Sequence, residues 1–338
     1  MKKIITPVIF AIVTMCVTSS CGSSDKSPTS ASVGSYTPFK VCRFYEDVYD
    51  CSQKGSYESL MKDSVLSRGV SAVNTMLNMG HPDDSAFVKY VNSDVVKQFT
   101  PAVQDVYSDF DELENLLGGI SENLGKELPS IKMCDIYAIV SSNRQTSIYI
   151  PDSTTMLLSL NHYLGSEHEA YKGFHEYVKQ VKTPKHIPYD IVEALIGTSS
   201  LQFAPTGTET LLNRMLYQGA LIEAKMRLVP GASLALALGY TDEQLKWLEE
   251  NEQKAWETIV SQKLIYSTSP SDVENLLSPS PATTKINANA PGRAGRYFGY
   301  KIVKTYLDKN PQTTLTQLLS PDFYMNQQSF ISSGYQGK

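Results

Sequence analysis

Residues 133–164 read MCDIYAIVSSNRQTSIYIPDSTTMLLSLNHYL, where apolar residues crowd into short runs rich in β-branched and aromatic side chains. Three runs stand out: Met133 to Ser141, Thr146 to Ile150, and Thr154 to Leu164 around MLLSLNHYL. Ser142-Asn143 and Pro151-Asp152 separate them, and residues of these types favour turns. Runs this short, joined this tightly, predict a small and mainly antiparallel sheet.

On both sides of that segment the apolar spacing becomes helical. Thr100 and Pro101 form an N-cap and first-turn pair, followed by Val103, Val106, Phe110, Leu113 and Leu117 at steps of three and four, with Gly118-Gly119 as a stop. Beyond Ile187 the chain reads as helix throughout. Thr208 caps a helix through Leu228, Thr241 with Gln244 forms a capping box for a helix through Leu264, and Asn289 with Pro291 starts another that ends near Asp308. The predicted class is therefore α+β, mostly helical with one small sheet. Balanced composition, 41% hydrophobic, without a second linker or repeat makes residues 39–338 one domain.

The N-terminus reads MKKIITPVIFAIVTMCVTSSCGSSDK. Lys2 and Lys3 precede an apolar run from Ile4 to Val17, then Thr18, Ser19, Ser20 and Cys21. The run is shorter than the roughly 20 apolar residues that span a bilayer, so it reads as an export signal over residues 1–20 rather than an anchor. The small residues before Cys21 resemble a bacterial lipobox, with Thr18 where leucine is usual, which makes Cys21 the lipidated first residue of the mature chain. Removing residues 1–20 takes away two lysines and no acids, so the net charge of −5 becomes −5 − 2 = −7. Residues 21–38 follow as a flexible tether, nearly all Gly, Ser, Thr and Pro up to Ser35. The expected location is the cell envelope, on the periplasmic side of the membrane. A moderately acidic chain without a basic block argues against nucleic-acid binding. Of the remaining cysteines, Cys42 and Cys51 can bridge outside the cytoplasm, whereas Cys134 in a β-like run reads as a buried thiol.

His168 to Tyr177 reads HEAYKGFHEY, two His-Glu pairs in a chain with five histidines. A shared zinc ion needs imidazoles one helical turn apart, as in H-E-x-x-H. Here the interval is seven residues, about 10 Å along a helix, so the two rings cannot meet on one ion. No metal and no cofactor is expected.

Two helices carry unusual charges. In TDEQLKWLEENEQKAWETIV, Glu252 fills a gap in the stripe of Leu245, Leu248, Ala255 and Ile259. Such a carboxylate either finds a partner, protonates, or sits at the stripe's edge and reaches water. In PGRAGRYFGYKIVKTYL, Ala294, Phe298, Ile302 and Tyr306 form the core face, and Gly295 and Gly299 permit close backbone approach. Arg293, Arg296, Tyr300 and Lys304 lie on the other faces. The arginine pair in the first turn is either a solvated basic face or a holder for a carboxylate or phosphate. A contact from Glu252 to Arg293 or Arg296 would account for both oddities.

The order and spacing of Arg43-Phe44, SLNHYLG (159–165), MLYQGALI (215–222), GYTDEQ (239–244), NEQKAW (251–256) and PGRAGRYFGYKIVKTYL (291–307) resemble the gliding motility lipoprotein GldB family of the Bacteroidota. The resemblance covers nearly the whole mature domain, with Ala220 where the family commonly has lysine. It implies an envelope lipoprotein needed for gliding, with no established chemistry, on a fold distantly similar to zincin metallopeptidases. In that register MLLSLNHYL is the strand lining the cleft. Val192, Glu193 and Ile196 stand at the H, E and H places, and Gln218-Gly219 stands where Glu-Gly would supply the third ligand. Two aliphatic side chains and a neutral amide hold no zinc, so the register implies a pseudo-peptidase that binds an envelope protein or peptide. Two other readings stay open: a hydrolase built on Glu193, Glu223 and a histidine, and a glycan or peptidoglycan binder using Arg293, Arg296 and the 20 tyrosines.

Overall fold

A computed structural model describes residues 34–78, 84–142 and 145–337. Among the described residues the four strands are β1 (Val41–Cys42), β2 (Asp135–Ile139), β3 (Ile148–Asp152) and β4 (Thr155–Ser159), in the order β1-β2-β4-β3. The α+β class holds, but the sheet is mixed rather than mainly antiparallel. β1 and β4 both run parallel to β2, and only the β3–β4 hairpin is antiparallel. The reason lies in the side chains. TMLLS of β4 is buried at every position, and a strand apolar on both faces belongs in the sheet interior. IYIPD of β3 carries Pro151, which donates no ladder hydrogen bond and suits an edge. β4 therefore turns back at Ser153-Thr154 and inserts between β3 and β2. Beyond its last pair, Asn161 continues the ladder with its side chain: Oδ1 accepts from Ser141 N at 2.9 Å and Nδ2 donates to Ser141 O at 2.8 Å.

The helices of two turns or more are α1 (Phe44–Lys54), α2 (Ser64–Asn78), α3 (Asp84–Val91), α4 (Asp94–Val106), α5 (Asp111–Glu127), α6 (Ile187–Gly197), α7 (Leu211–Leu228), α8 (Asp242–Glu250), α9 (Glu252–Ser261), α10 (Pro270–Leu277) and α11 (Ala294–Lys309). Helices α1, α2 and α6 pack on the sheet, while α7 lies at the centre of the helical half, touching α5, α6, α10 and α11. No helix among the described residues is long and apolar enough to cross a membrane.

Several helix ends differ from expectation. Thr100 and Pro101 lie inside α4, which is capped by the Ser93 hydroxyl. The apolar stripe from Val103 to Leu117 is shared by α4 and α5. Gly118-Gly119 does not stop a helix. It lets α5 receive the incoming chain, since a Cβ at Gly118 would stand 2.1 Å from the Thr37 carbonyl oxygen. From Gly34 the chain already lies on α5, where Asn115 bonds both Tyr36 N and Gly34 O. Thr210, not Thr208, caps α7 in a box with Asn213. The Thr241–Gln244 box forms as read, but the helix breaks at Asn251 into α8 and α9. α11 begins at Ala294, after a turn pinned by Thr283, whose hydroxyl donates to Pro291 O at 2.6 Å and accepts from Ala294 N at 3.1 Å. Cys42, Cys51 and Cys134 are free thiols. The signal segment and Cys21 lie outside the described residues.

The most extensive helix pair is α7 with α11, and two glycines make it possible. A Cβ on Gly219 would stand 2.2 Å from the carbonyl carbon of Gly299, and a Cβ on Gly299 would stand 1.9 Å from Met215 O. Gly299→Ala must force the helices apart, and a loss of about 3 kcal/mol is expected. Gly125→Ala on the exposed side of α5 meets nothing within 4 Å and should gain about 0.5–1 kcal/mol. Urea denaturation of the two variants checks the contrast, and equal effects would refute the close-packing account.

Candidate functional site

Helix α6, IPYDIVEALIG, turns Ile187, Ile191, Val192, Leu195 and Ile196 into the core. Asp190, Glu193 and Ala194 remain on the face that looks into a cleft of ≈ 330 Å³. Across this cleft stand Lys225 of α7, Arg296 of α11, Arg293 just before α11, and His186 at the entrance to α6. A larger, mainly apolar groove of ≈ 650 Å³ runs beside Trp256 and Ile331, but among its lining residues it gathers one carboxylate, Glu257, and no cation. The smaller cleft holds the chemistry.

Glu193 is the knot of the cleft. Its Oε2 accepts from Lys225 Nζ and, at 3.1 Å, from the Arg296 guanidinium. Burial alone would raise the Glu193 carboxyl pKa, yet Arg296 and Lys225 outweigh it and hold the group well below the usual carboxylate range. Lys225 is 2% exposed and reaches the Ala237 carbonyl as well. Asp190 accepts from the Tyr163 hydroxyl at 2.9 Å, so the tyrosine of SLNHYLG ties the sheet end to α6. Burial raises the Asp190 carboxyl.

Other groups in the cleft lack partners. His186 is 5% exposed; its Nδ1 meets Thr183 Oγ1 at 2.9 Å, while its Nε2 has no hydrogen-bond partner among the described residues. Burial, then Lys225 and Arg293, lowers its pKa to about 4, so the ring is neutral at pH 7. Arg296 is 6% exposed and its Nε is likewise without a partner. The Arg293 guanidinium lines the cleft without a hydrogen bond or ion pair to the described residues, and the Arg293 backbone is left-handed at φ 62°. The turn carrying it is anchored by the Tyr240 hydroxyl, which donates to Gly292 O at 2.8 Å.

The residues singled out in the sequence separate into three clusters. Glu193, Arg293 and Arg296 meet in the cleft. Glu223 is buried elsewhere, accepting from Arg227 Nε at 2.8 Å with Lys304 at 4.0 Å. Tyr300 lies near Glu223, and burial, aided by that charge, pushes its phenol up to about 12. Gln218 is half-buried and is not among the cleft residues. The expected contact from Glu252 to an arginine does not form. Glu252 is 2% exposed and is satisfied by the hydroxyls of Tyr297 at 2.7 Å and Tyr335 at 2.9 Å, with Lys301 at 3.3 Å. The arginine that found a carboxylate, Arg296, found Glu193. Lys225, His186 and Asp190 escaped the sequence reading, although a lysine inside the apolar run LIEAKMRL was a visible signal. His168 caps a local turn through Nδ1, and His175 stacks on Tyr177.

The family model described as gliding motility protein GldB matches residues 25–337. The chain belongs to the GldB family. No curated protein and no solved structure matches it. In this GldB family member, Val192, Ile196 and Gln218 do not line the cleft, whereas Glu193 does.

A left-handed arginine with an unpaired guanidinium is an arrangement that costs stability at this position. Arg293→Gly removes both costs, and the variant should be more stable by about 1 kcal/mol. Urea unfolding with an unchanged m-value would show it, and a loss of stability would mean that Arg293 holds the fold together.

Proposed function

We propose that this protein is a non-enzymatic accessory lipoprotein of the cell envelope, anchored by a lipid on Cys21 and serving the gliding machinery by binding an envelope protein or peptide in the Glu193–Arg293 cleft. Membership of the GldB family supports the gliding role and the lipid anchor. The observation that carries the non-enzymatic part is the state of Glu193. The zincin-like register would make it the general base, yet Lys225 and Arg296 hold its carboxylate ionised, and a carboxylate held far below neutral pH is a weak base. Val192 and Ile196, at the places of the imidazoles, carry no donor atoms and lie wholly in the core. An open cleft lined by charged groups beside Ala194, Leu236 and Leu238 has the mixture that recognises a polar segment of another chain.

Placement on the periplasmic face rests on the N-terminal segment. Cys21→Ala should leave the protein in the soluble envelope fraction and stop uptake of labelled fatty acid. A variant that still sediments with membranes after a high-salt wash and still takes up the label would overturn the anchor. For the non-enzymatic part, the purified protein incubated with a peptide mixture should give no new termini by mass spectrometry. Cleavage that disappears in Glu193→Gln would establish a hydrolase instead.

A further inference from the structure

We propose that the cleft binds one carboxylate group of a peptide ligand, taken between Arg293, the Nε edge of Arg296 and His186 Nε2. The inference rests on the partner-binding reading and names the chemistry that the partner must present.

Lys225, Arg293 and Arg296 supply three cations and Asp190 and Glu193 two carboxylates, so the cleft carries a formal 3 − 2 = +1. Lys225 and Arg296 share Glu193, which leaves Arg293 as the cation without a counter-ion among the described residues. Arg293 is half-buried, and partial loss of water around a cation without an ion pair is a cost that a bound monoanion offsets. A dianionic phosphate would overshoot to −1 beside two resident carboxylates, so a carboxylate fits better.

Hydrogen bonding points to the same ligand independently. Arg296 Nε and His186 Nε2 belong to side chains more than nine-tenths buried, both residues line the cleft, and both atoms lack a partner. Groups of this kind are rarely left unsatisfied in a native fold, and they mark a place where a ligand or water completes the set. In the tautomer in which the Thr183 hydroxyl donates to Nδ1, His186 presents Nε2–H as a donor. Two guanidinium groups and one imidazole N–H then line one cleft, the kind of donor set that an acceptor-only group requires. The left-handed backbone at Arg293 and the Tyr240 and Thr283 bonds that fix its turn hold the free guanidinium in place. Strain retained at such a position is a feature of binding sites.

The test uses the full-length protein in detergent, with ¹⁵N-labelled arginine, titrated with acetate, with N-acetylated tripeptides bearing a free C-terminus, with their C-terminal amides, with amides that contain Glu, and with inorganic phosphate. Acetate and the free-acid tripeptides should shift the Arg293 and Arg296 Nε signals saturably, more tightly than phosphate, and the neutral amides should not. A response to Glu-containing amides would make a side-chain carboxylate the source, and its absence the chain terminus. Arg293→Gly should weaken acetate binding about tenfold or more while melting no lower than the parent, which separates lost binding from lost folding. The inference is overturned if no carboxylate shifts the signals at millimolar concentration, if phosphate binds as tightly as acetate, or if Arg293→Gly binds like the parent. Should any of these occur while the protein still cross-links to an envelope partner, the carboxylate site falls and the partner-binding reading stands. Hydrolysis of the tripeptides would overturn the reading itself.

Discussion

Gly219 and Gly299 bring α7 and α11 into backbone contact, and the rest of the site depends on that approach. A side chain at either glycine would separate the helices by ångströms. Lys225, six residues beyond Gly219, and Arg296, three before Gly299, would then no longer share Glu193. The bare crossing is thus a positioning device as much as a packing one. It sets two cations from different helices against one carboxylate on a third, and so fixes α6, α7 and α11 relative to one another. Buried ion pairs stabilise little on balance, because desolvation offsets the attraction, but breaking one is costly and this gives them power to specify geometry.

The charge knot also defines what the cleft can do. Glu193 Oε2 accepts from both Lys225 and Arg296, and Asp190 Oδ2 accepts from Tyr163. The groups left over are donors: Arg293, one nitrogen of Arg296 and one of His186. Each resident carboxylate is engaged through one oxygen, and the spare donors are matched to an acceptor from outside. The second knot, Glu252 with Tyr297, Tyr335 and Lys301, does different work. It ties the C-terminal segment to α9 and α11, and its phenols leave no spare donor.

Much of this was legible in the sequence because it is local. The run MLLSLNHYL announced a strand, although Thr146, Ser147 and Ile148 line the cleft in its place, the Thr241–Gln244 box sat where it was read, and the glycines of PGRAGRYFGYK marked a close approach. Strand order was not legible, since consecutive strands favour hairpins and nothing local says that β4 will insert beside β2; only its double-sided apolar character, set against Pro151 in β3, hinted at it. The partners of Glu252 and Glu193 were hidden for the same reason. Tyr335 is 83 residues from Glu252 and Arg296 is 103 from Glu193, and spacing along the chain carries no information at that range. The helix starts at Thr210 and Ala294 were misplaced by a few residues because Thr, Asn and Pro cluster there and several caps fit the pattern.

The central claim is that Glu193 is an ionised structural knot and not a base. ¹³C NMR titration of its carboxyl in the full chain tests this most directly. The ion pairs depress its folded-state pKa below the ordinary value of 4.5, so its contribution to stability is present above that pH and is lost as pH falls through the folded-state value. The account predicts that the Glu193 signal stays in its ionised position as pH is lowered past the range in which ordinary glutamates protonate. A Glu193 carboxyl that titrates near neutral pH, poised to take a proton, would contradict it.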